Sequence, residues 1–589
     1  MKKKHYIVTS ILSVASLFMS SCLDLNPLAS IGDNLAWEKA DNFQLFANQF
    51  YSWTRDFQLS TNETYGNGIN DGPHSDFRSD LIATSTLNAY SQGTNTIPSE
   101  DKNYTALYQR IYYTNLLLEK AQSFGDQGAI SMPVAEAKFF RAYLYFELVQ
   151  IYGDVILVTK PLDLNSEELR KVRDDRSVVI DQIIKDLQEA ATNGLPETAT
   201  EKGRLTKYAA YAMLSRVALY EGTWQKFHNG GASATTNTER SSSLLTIAKE
   251  AAEKVIGSKQ HKLFYNSTLG TESYRYMFIL EDIKCNPAGL TKSDNTEYIL
   301  SRRHRDGDQL SLNITHAMFG NAVHMTRKLA NMYLCTNGLP IDNAASTGLF
   351  KGYANPADEF KNRDNRMANT FMIYGEKYWD NKTAPRSSWD ENDLAKCITA
   401  NNNWICKGSG YQNHKWAVER SVSDYYETMD YPVIRYAEVL LNYAEAVYEL
   451  GITGSTLDEA LNISLNLVRW RSNPDMPGLS TSLVSANGLS MREEIRRERA
   501  LELILEGFRI DDLKRWYVAS TEMPQVQLGV KYTDTWFETN WSKITNTLSN
   551  GCLVLYSGRT WQDKNYLYPL PSDQLQLNPQ LGQNPGWGN

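Results

Sequence analysis

The sequence predicts an all-α protein, folded as an irregular superhelix of helix pairs that carries long loop insertions. Three observations lead to this prediction. Apolar side chains recur three and four residues apart through several long stretches, which is the spacing of one helix face. Several of these stretches resemble one another, and segments rich in Asn, Gly and Trp separate some of them. With 589 residues, the chain can bury one or two large cores.

Residues 133–161 contain the strongest helical pattern. Phe139 and Phe146 belong to one apolar stripe, and Leu144 belongs to a second stripe beside it. A helix that is apolar over most of its circumference is buried among other helices. Gly153 is suited to a left-handed stop at the end of this helix. We therefore expect an inner helix of the scaffold here.

Helical periodicity predicts four pairs of helices. Three inner stretches, AEAKFFRAYLYFEL, YAAYAMLSRVALYE and YAEVLLNYAEAVYEL, share Ala and Tyr at similar offsets. Self-similar pairs that cannot bury their faces alone indicate a tetratricopeptide-like stack, although the irregular spacing argues against a regular array. The predicted pairs are Tyr104–Phe124 with 133–161, Ser177–Thr192 with Thr206–Glu221, Ser243–Ile256 with Ile434–Leu450, and Leu457–Arg471 with Met491–Trp516.

The first 21 residues form a targeting segment. Three lysines at 2–4 precede a short apolar run at 6–19, which is too short to span a membrane. Small residues stand directly before Cys22, as they do before the acylated cysteine of a bacterial lipoprotein. Acyl chains on Cys22, palmitate among them, would anchor the protein stably, since each buried methylene contributes about 0.8 kcal/mol. The alternative is an ordinary signal peptide followed by an incidental cysteine.

The mature chain divides into three regions. Residues 22–256 contain the first helix pairs, and 257–432 form a loop-rich insertion that we expect to provide the ligand or partner surface. Residues 433–589 contain the last pairs and a tail. The density of Pro, Asn and Gly in this tail predicts an extended segment without a terminal helix.

Charge and side-chain chemistry exclude several classes of function. The net charge is -8 and no basic stripe stands out, so nucleic acid is not expected as a partner. His304, His316 and His324 are too far apart for a helical metal site, and we expect neither a metal nor a cofactor. Cys397 and Cys406 could close a loop disulfide in an exported protein.

Acidic residues suggest one enzymatic alternative. Glu498, Glu502 and Glu506 lie four residues apart on one helix ridge, and a glycosidase needs two carboxylates in a cleft. Nearby arginines favour an ion-pair network instead, in which each exposed pair contributes about 0.3–0.5 kcal/mol. Glu136 and Glu147, in the 133–161 helix, are expected to form ion pairs in the same way. No catalytic residue is assigned.

Aromatic residues interleaved with amides and acids are the binding candidates. A sugar ring stacks its C–H face on Trp or Tyr, and its hydroxyls hydrogen-bond to Asp, Asn or Gln. Alternatively, these rings pin long loops to the helical body or contact a partner protein. The candidate ligand-binding residues are Tyr65, Asn67, Asp71, Tyr378, Trp379, Trp389, Trp404 and Trp416.

An ordered series of motifs resembles the SusD/RagB family of outer-membrane nutrient-binding lipoproteins of Bacteroidetes. Each motif is moderate alone, but their order and their coverage from Cys22 nearly to the end make the series specific. The motifs are AEAKFFRAYLYFELVQIYGDVILV at 135–158, NGLPI at 337–341, RDNR at 363–366, RYAEVLLNYAEA at 435–446, ERALELILEGFRIDDLKRW at 498–516 and YPLPSDQLQLNPQLGQNPGW at 568–587.

The resemblance implies a non-catalytic lipoprotein on the outside of the outer membrane. Such a protein binds oligosaccharide and serves as a lid on a SusC-like, TonB-dependent transporter. Three alternatives remain open. The ligand could be a peptide, as in the RagB branch. The protein could be an exported α-helical glycoside hydrolase. It could also be a protein-interaction scaffold, since tetratricopeptide-like stacks commonly bind proteins.

Overall fold

The structure is a computed structural model that describes residues 37–57, 72–83, 88–228, 236–305, 314, 323–373, 409–418, 426–540, 544 and 546–588. Nine helices within this part of the chain build the superhelix. They are α1 (Lys102–Gln122), α2 (Ser131–Tyr152), α3 (Arg176–Thr192), α4 (Lys207–Phe227), α5 (Thr238–Ser258), α6 (Tyr436–Glu449), α7 (Gly454–Asn462), α8 (Leu465–Ser472) and α9 (Met491–Glu502).

Successive helices pack against one another from α1 to α6, which confirms the predicted all-α superhelix of tetratricopeptide-like pairs. Helix α2 is buried around nearly its whole circumference, as its two apolar stripes predict. It ends at Gly153, whose φ of 75° lies in the left-handed region that glycine tolerates. A Cβ at this position would lie 2.8 Å from a methyl carbon of Leu567, so glycine also allows the tail to approach closely.

The charged residues of α2 form ion pairs within the frame, as expected. Glu136 lies 2.9 Å from Arg204, and the carboxylate of Glu147 lies 2.9 Å from Arg55. Both glutamates are buried. Burial of a charge is tolerated when an opposite charge and hydrogen bonds compensate for the lost water. These contacts tie α2 to the segments that surround it.

Helices α5 and α6 form the third pair although the insertion 257–432 separates them in sequence. Their pairing confirms the expectation that the partner of α5 comes late in the chain. The fourth pair is less regular than predicted. The stretch predicted as one helix at 457–471 is divided into α7 and α8.

The predicted helix Met491–Trp516 is also interrupted. It stops at Glu502 and resumes as a shorter helix at Arg509–Arg515. Leu505 and Gly507, with φ of 63° and 80°, adopt left-handed conformations that cannot continue a helix. The apolar periodicity persists across the turn, which is why the sequence pattern did not reveal it.

Within the described residues, three small sheets form in the loop-rich parts of the chain. Strand β1 (Ile82–Ala83) pairs with β3 (His324–Met325), and β2 (Tyr298–Arg302) pairs with β4 (Tyr431–Arg435), both antiparallel. The third sheet is antiparallel, with the order β5-β7-β6. Its strands are β5 (Gln527–Lys531), β6 (Leu548–Ser549) and β7 (Cys552–Tyr556).

The tail corrects one prediction, because Ser572–Leu577 is a short α-helix directly after Pro571. Proline presets the backbone at the start of a helix, so it does not exclude a helix that follows it. Other short α-helices are Ala40–Asn48, Ala89–Gln92, Ser273–Met277, Arg327–Met332, Asn365–Thr370, Thr481–Ala486, Ala519–Glu522 and Trp536–Asn540. Among the described residues, no helix combines the length and apolar composition that crossing a bilayer requires.

Candidate functional site

Most residues that the sequence singled out for binding lie outside the described part of the chain. This holds for the lipidation candidate Cys22, for both residues of the possible disulfide, Cys397 and Cys406, and for seven ligand candidates. Those seven are Tyr65, Asn67, Asp71, Tyr378, Trp379, Trp389 and Trp404. Their roles stay predictions. The residues that flank their segments are described, and so is Trp416.

Two of these segments have flanking residues that meet in one aromatic cluster. Phe57 directly precedes segment 58–71, and its ring centroid lies 5.0 Å from that of Trp416. Trp416 belongs to residues 409–418, which follow segment 374–408. Tyr431 completes the cluster, 5.2 Å from Phe57. The cluster therefore joins the residue before segment 58–71 to the stretch 409–418 that follows segment 374–408.

Trp416 itself has a structural role, which corrects the expectation that it contacts ligand. Its side chain is 0 % exposed, and its indole N–H donates to the carbonyl of Leu505. The ring packs edge-on against Phe278 at 4.7 Å. An indole enclosed in this way cannot stack on a sugar. Trp416 instead has the alternative role considered for these aromatic residues, which is to pack a long loop against the helical body.

The glutamates at 498, 502 and 506 lie in a buried ion-pair network. Glu502 accepts from Arg435 at 2.7 Å, Arg471 at 2.5 Å and Arg366 at 3.1 Å. Lys415 lies 2.7 Å from Glu506. Every one of these side chains is almost completely buried, whereas the sequence reasoning had assumed exposed pairs.

Electrostatics of this network favour a structural role. Burial alone would raise the pKa of Glu502, but the charges of Arg471, Arg435 and Arg366 outweigh it and hold that pKa well below the ordinary value. A carboxylate that stays ionised and enclosed cannot donate a proton to a glycosidic bond. The network fixes α9 against α8 and β4, so the ion-pair interpretation of the sequence is the one that the geometry supports.

A cleft of about 800 Å³ opens where the insertion meets the C-terminal sheet. One wall is the helix Arg327–Met332, which begins immediately after β3, and the opposite wall includes Leu528 and Lys531 of β5. Tyr353 lies between them, with its ring 4.0 Å from the guanidinium carbon of Arg327. Volumes of this order are typical of ligand sites.

Two polar side chains of the cleft have a buried atom without a hydrogen-bond partner among the described residues. They are Arg327, whose buried Nη1 is unsatisfied, and Asn331, whose buried Oδ1 is unsatisfied. They lie four residues apart and so share one helix face. Sequence reasoning missed both. The i, i+4 spacing was visible, but the spacing alone could not show that the face is buried.

A second groove, of about 600 Å³, lies along α1. Tyr104, Tyr108 and Tyr112 line it at successive turns of the helix, and Leu164 and Leu577 stand at its rim. The two leucine side chains are 94 % and 76 % exposed. Clustered exposed apolar side chains are typical of surfaces that contact another protein.

Among the described cysteines, Cys552 is one of the residues that line the cleft. Cys285, Cys335 and Cys552 are buried free thiols. No group of three His, Cys, Asp or Glu side chains in this part of the chain is placed to hold a metal ion. His304 lies 2.9 Å from Asp56, so it takes part in an ion pair or hydrogen bond near Phe57.

Known proteins of similar sequence share a single description. The curated protein "SusD-like protein P38" of Formosa agariphila is 24% identical, over 87% of this chain and 92% of its own length. A SusD-like protein of Bacteroides ovatus is 33% identical over 20% of each chain.

Solved structures with the same fold cover nearly the whole chain. A SusD-like carbohydrate-binding protein from Bacteroides fragilis superposes with a TM-score of 0.70 at 21% identity, covering 93% of this chain and 100% of its own. A protein described as a laminarin-binding SusD-like protein gives a TM-score of 0.57 at 19% identity, covering 93% and 99%. At such identities the likeness establishes the fold alone.

Family models match both halves of the sequence. One, described as "Starch-binding associating with outer membrane", matches residues 31–219. The model of the SusD family matches residues 288–587, about half of the chain, and includes the buried network, the cleft and the tail. The chain therefore belongs to the SusD family.

Proposed function

We propose that this protein is a non-catalytic lipoprotein of the outer membrane that binds oligosaccharides at the cell surface. It delivers them to a SusC-like, TonB-dependent transporter. Membership of the SusD family is the observation that carries the proposal. The second family match, whose description joins starch binding to the outer membrane, supports both the ligand class and the location.

Features of the described chain are consistent with a binding protein. The frame contains buried ion pairs, and an aromatic contact joins the residue before segment 58–71 to the stretch that follows segment 374–408. A cleft with polar walls lies where the insertion meets the C-terminal sheet. Binding residues are commonly placed on loops that a rigid scaffold positions.

Affinity gel electrophoresis of the mature chain tests the binding function directly. The protein without residues 1–21 is run through native gels that contain laminarin, starch or another polysaccharide, beside a gel without polysaccharide. Retardation by at least one polysaccharide supports the proposal. Normal migration in every gel, together with capture of peptides, would replace it with the peptide-binding alternative.

Incubation of the protein with the same polysaccharides distinguishes binding from hydrolysis. Polysaccharide is held with the protein overnight and its chain length is then measured by chromatography. We expect unchanged chain length. Shortened products that persist after a second purification step would establish the glycoside hydrolase instead.

Delivery to a transporter requires a protein contact, and the groove along α1 supplies a candidate surface. We expect a TonB-dependent transporter to co-purify with the tagged full-length protein from solubilised outer membranes. The substitutions Leu164→Asp and Leu577→Asp, both at exposed positions, should weaken this contact without unfolding the chain. Absence of any transporter in the purified wild-type sample would remove this part of the proposal.

A further inference from the structure

Arg327 is the most unusual side chain of the cleft. It is 8 % exposed, yet its guanidinium forms no hydrogen bond and no ion pair with the described residues. Removal of a charge from water is costly unless a partner compensates for it. Its guanidinium carbon lies over the face of Tyr353, 4.0 Å from the ring centroid. A guanidinium offers five N–H donors, so this one retains its capacity to bind an acceptor.

Four of the described residues that line the cleft are cations, namely Arg327, Lys328, Arg497 and Lys531. Like Arg327, Lys531 forms no ion pair within the described part of the chain, and its Nζ donates to the carbonyl of Asn550. The other two cations of the lining, Lys328 and Arg497, are already paired with acids. Among the described residues that line the cleft, Asp342 is the one acid.

One acid lies behind the cleft wall. Glu359 is buried, and its carboxylate accepts the hydroxyl of Tyr411 at 2.9 Å. It forms no ion pair with Arg327 within 4.0 Å. Burial would lower the pKa of Arg327, but the electrostatic effects of Tyr411, Glu359 and Tyr353 outweigh it and raise that pKa. Burial raises the pKa of Glu359, although the nearby charges of Arg327 and Arg363 oppose this shift.

We infer that this cleft binds an acidic saccharide, with a carboxylate or sulfate group held by Arg327 and a neighbouring hydroxyl held by Asn331. The inference rests on the proposed function and specifies its ligand class. A planar guanidinium matches the paired oxygens of a carboxylate or sulfate ester. The side-chain amide of Asn331 can donate and accept, as sugar hydroxyls require. The cleft volume accommodates several atoms beyond the charged group.

Matched polysaccharides test the charge requirement. Polygalacturonate and alginate carry carboxylates, λ-carrageenan carries sulfate esters, and laminarin is neutral. Highly methyl-esterified pectin has the backbone of polygalacturonate with most of its charges removed. We expect the mature protein to be retarded by at least one anionic polysaccharide, and retarded less as sodium chloride is raised. Comparison of polygalacturonate and alginate with λ-carrageenan identifies whether the protein binds a carboxylate or a sulfate ester.

Variants place the interaction in the cleft. Arg327→Met keeps most of the side-chain volume but removes the charge, and it should weaken anionic binding by about tenfold or more. Arg327→Lys should retain part of the affinity, since it keeps the charge without the paired donors. Asn331→Ala provides an independent test that leaves the buried charge in place. Arg170→Met is the control, because Arg170 is exposed and lies beside the other groove.

Each outcome has a defined meaning, with thermal unfolding used to show that every variant is folded. Anionic binding that Arg327→Met or Asn331→Ala weakens, and that Arg170→Met does not, supports the inference. Retardation by laminarin alone overturns it while the proposed function stands. Equal affinity of all variants for the anionic polysaccharide also overturns it. Absence of binding to every polysaccharide, or binding of acidic peptides alone, overturns the inference and the proposed function together.

Discussion

Arg435 and Glu502, 67 residues apart in sequence, form a buried ion pair with an Nη1–Oε1 distance of 2.7 Å. Arg435 also donates from Nη2 to the backbone carbonyl of Glu502, at 2.8 Å. Glu506 accepts from the same guanidinium through both carboxylate oxygens, at 2.7 Å and 2.8 Å. One side chain of β4 thus fixes the end of α9 and the turn that follows.

Removal of the Glu502 charge should destabilise the fold. In Glu502→Gln, the arginines at 366, 435 and 471 lose a buried counter-ion, which costs about 3–5 kcal/mol in comparable buried pairs. Urea denaturation measures the free energy of unfolding. Glu459→Gln is the control, since Glu459 is exposed on α7, and it should change stability by less than about 0.5 kcal/mol. Equal stabilities of the two variants would contradict the assigned role.

Stability should also depend on pH through Glu502. Its pKa in the folded protein lies below the 4.5 of an ordinary glutamate, because three arginines outweigh the effect of burial. The stabilisation is therefore fully present above pH 4.5 and is lost as the pH falls towards the folded-state pKa. The difference in unfolding free energy between wild type and Glu502→Gln should narrow from pH 7 to pH 3.5. A difference that stays constant with pH would show that the charge of the Glu502 carboxylate is not the source of this stabilisation.

Substitution of Trp416 should affect stability more than ligand contact. Trp416→Ala removes a fully buried indole that packs against Phe57 and Phe278, and we expect a loss of about 3–5 kcal/mol. Trp416→Phe should lose less, since it keeps an aromatic ring in the cluster. Thermal and urea unfolding provide the measurement. A folded Trp416→Ala protein of unchanged stability that had lost glycan binding would restore the original expectation.

Tryptophans outside the described residues keep their predicted binding role. Single alanine substitutions of Trp379, Trp389 and Trp404 should include at least one that costs about 1–3 kcal/mol in glycan affinity, the scale of an aromatic anchor. Isothermal titration calorimetry measures the affinity, and Tyr265→Ala, at an exposed position of the body, is the control. If all three variants bind glycan like wild type, the binding site would instead be assigned to the segment that contains Tyr65.

Membrane attachment should depend on Cys22. The Cys22→Ser protein cannot be acylated at this position, so it should appear in the soluble fraction and incorporate no labelled palmitate. Wild type should remain with the outer membrane under the same conditions. A Cys22→Ser protein that still sediments with membranes would show that another feature holds it there.

Local patterns in the sequence determined the helices and much of their pairing. The spacing of Phe139 and Phe146 predicted α2 and its burial, because residues three and four apart share a helix face whatever the rest of the chain does. Gly153 predicted the end of that helix for an equally local reason, its tolerance of positive φ. The ordered motifs then identified the family, since their order is a property of the chain itself.

Tertiary structure decided which distant side chains meet and which are enclosed. The sequence pattern could not show that Glu502 would be buried among three arginines, that Trp416 would lie in the core, or that Leu505 would interrupt a helix. It also could not show that Arg327 faces a cleft and has no ion partner among the residues that the structure describes. Burial and charge compensation depend on the packing of elements hundreds of residues apart, and local periodicity contains no information about that packing.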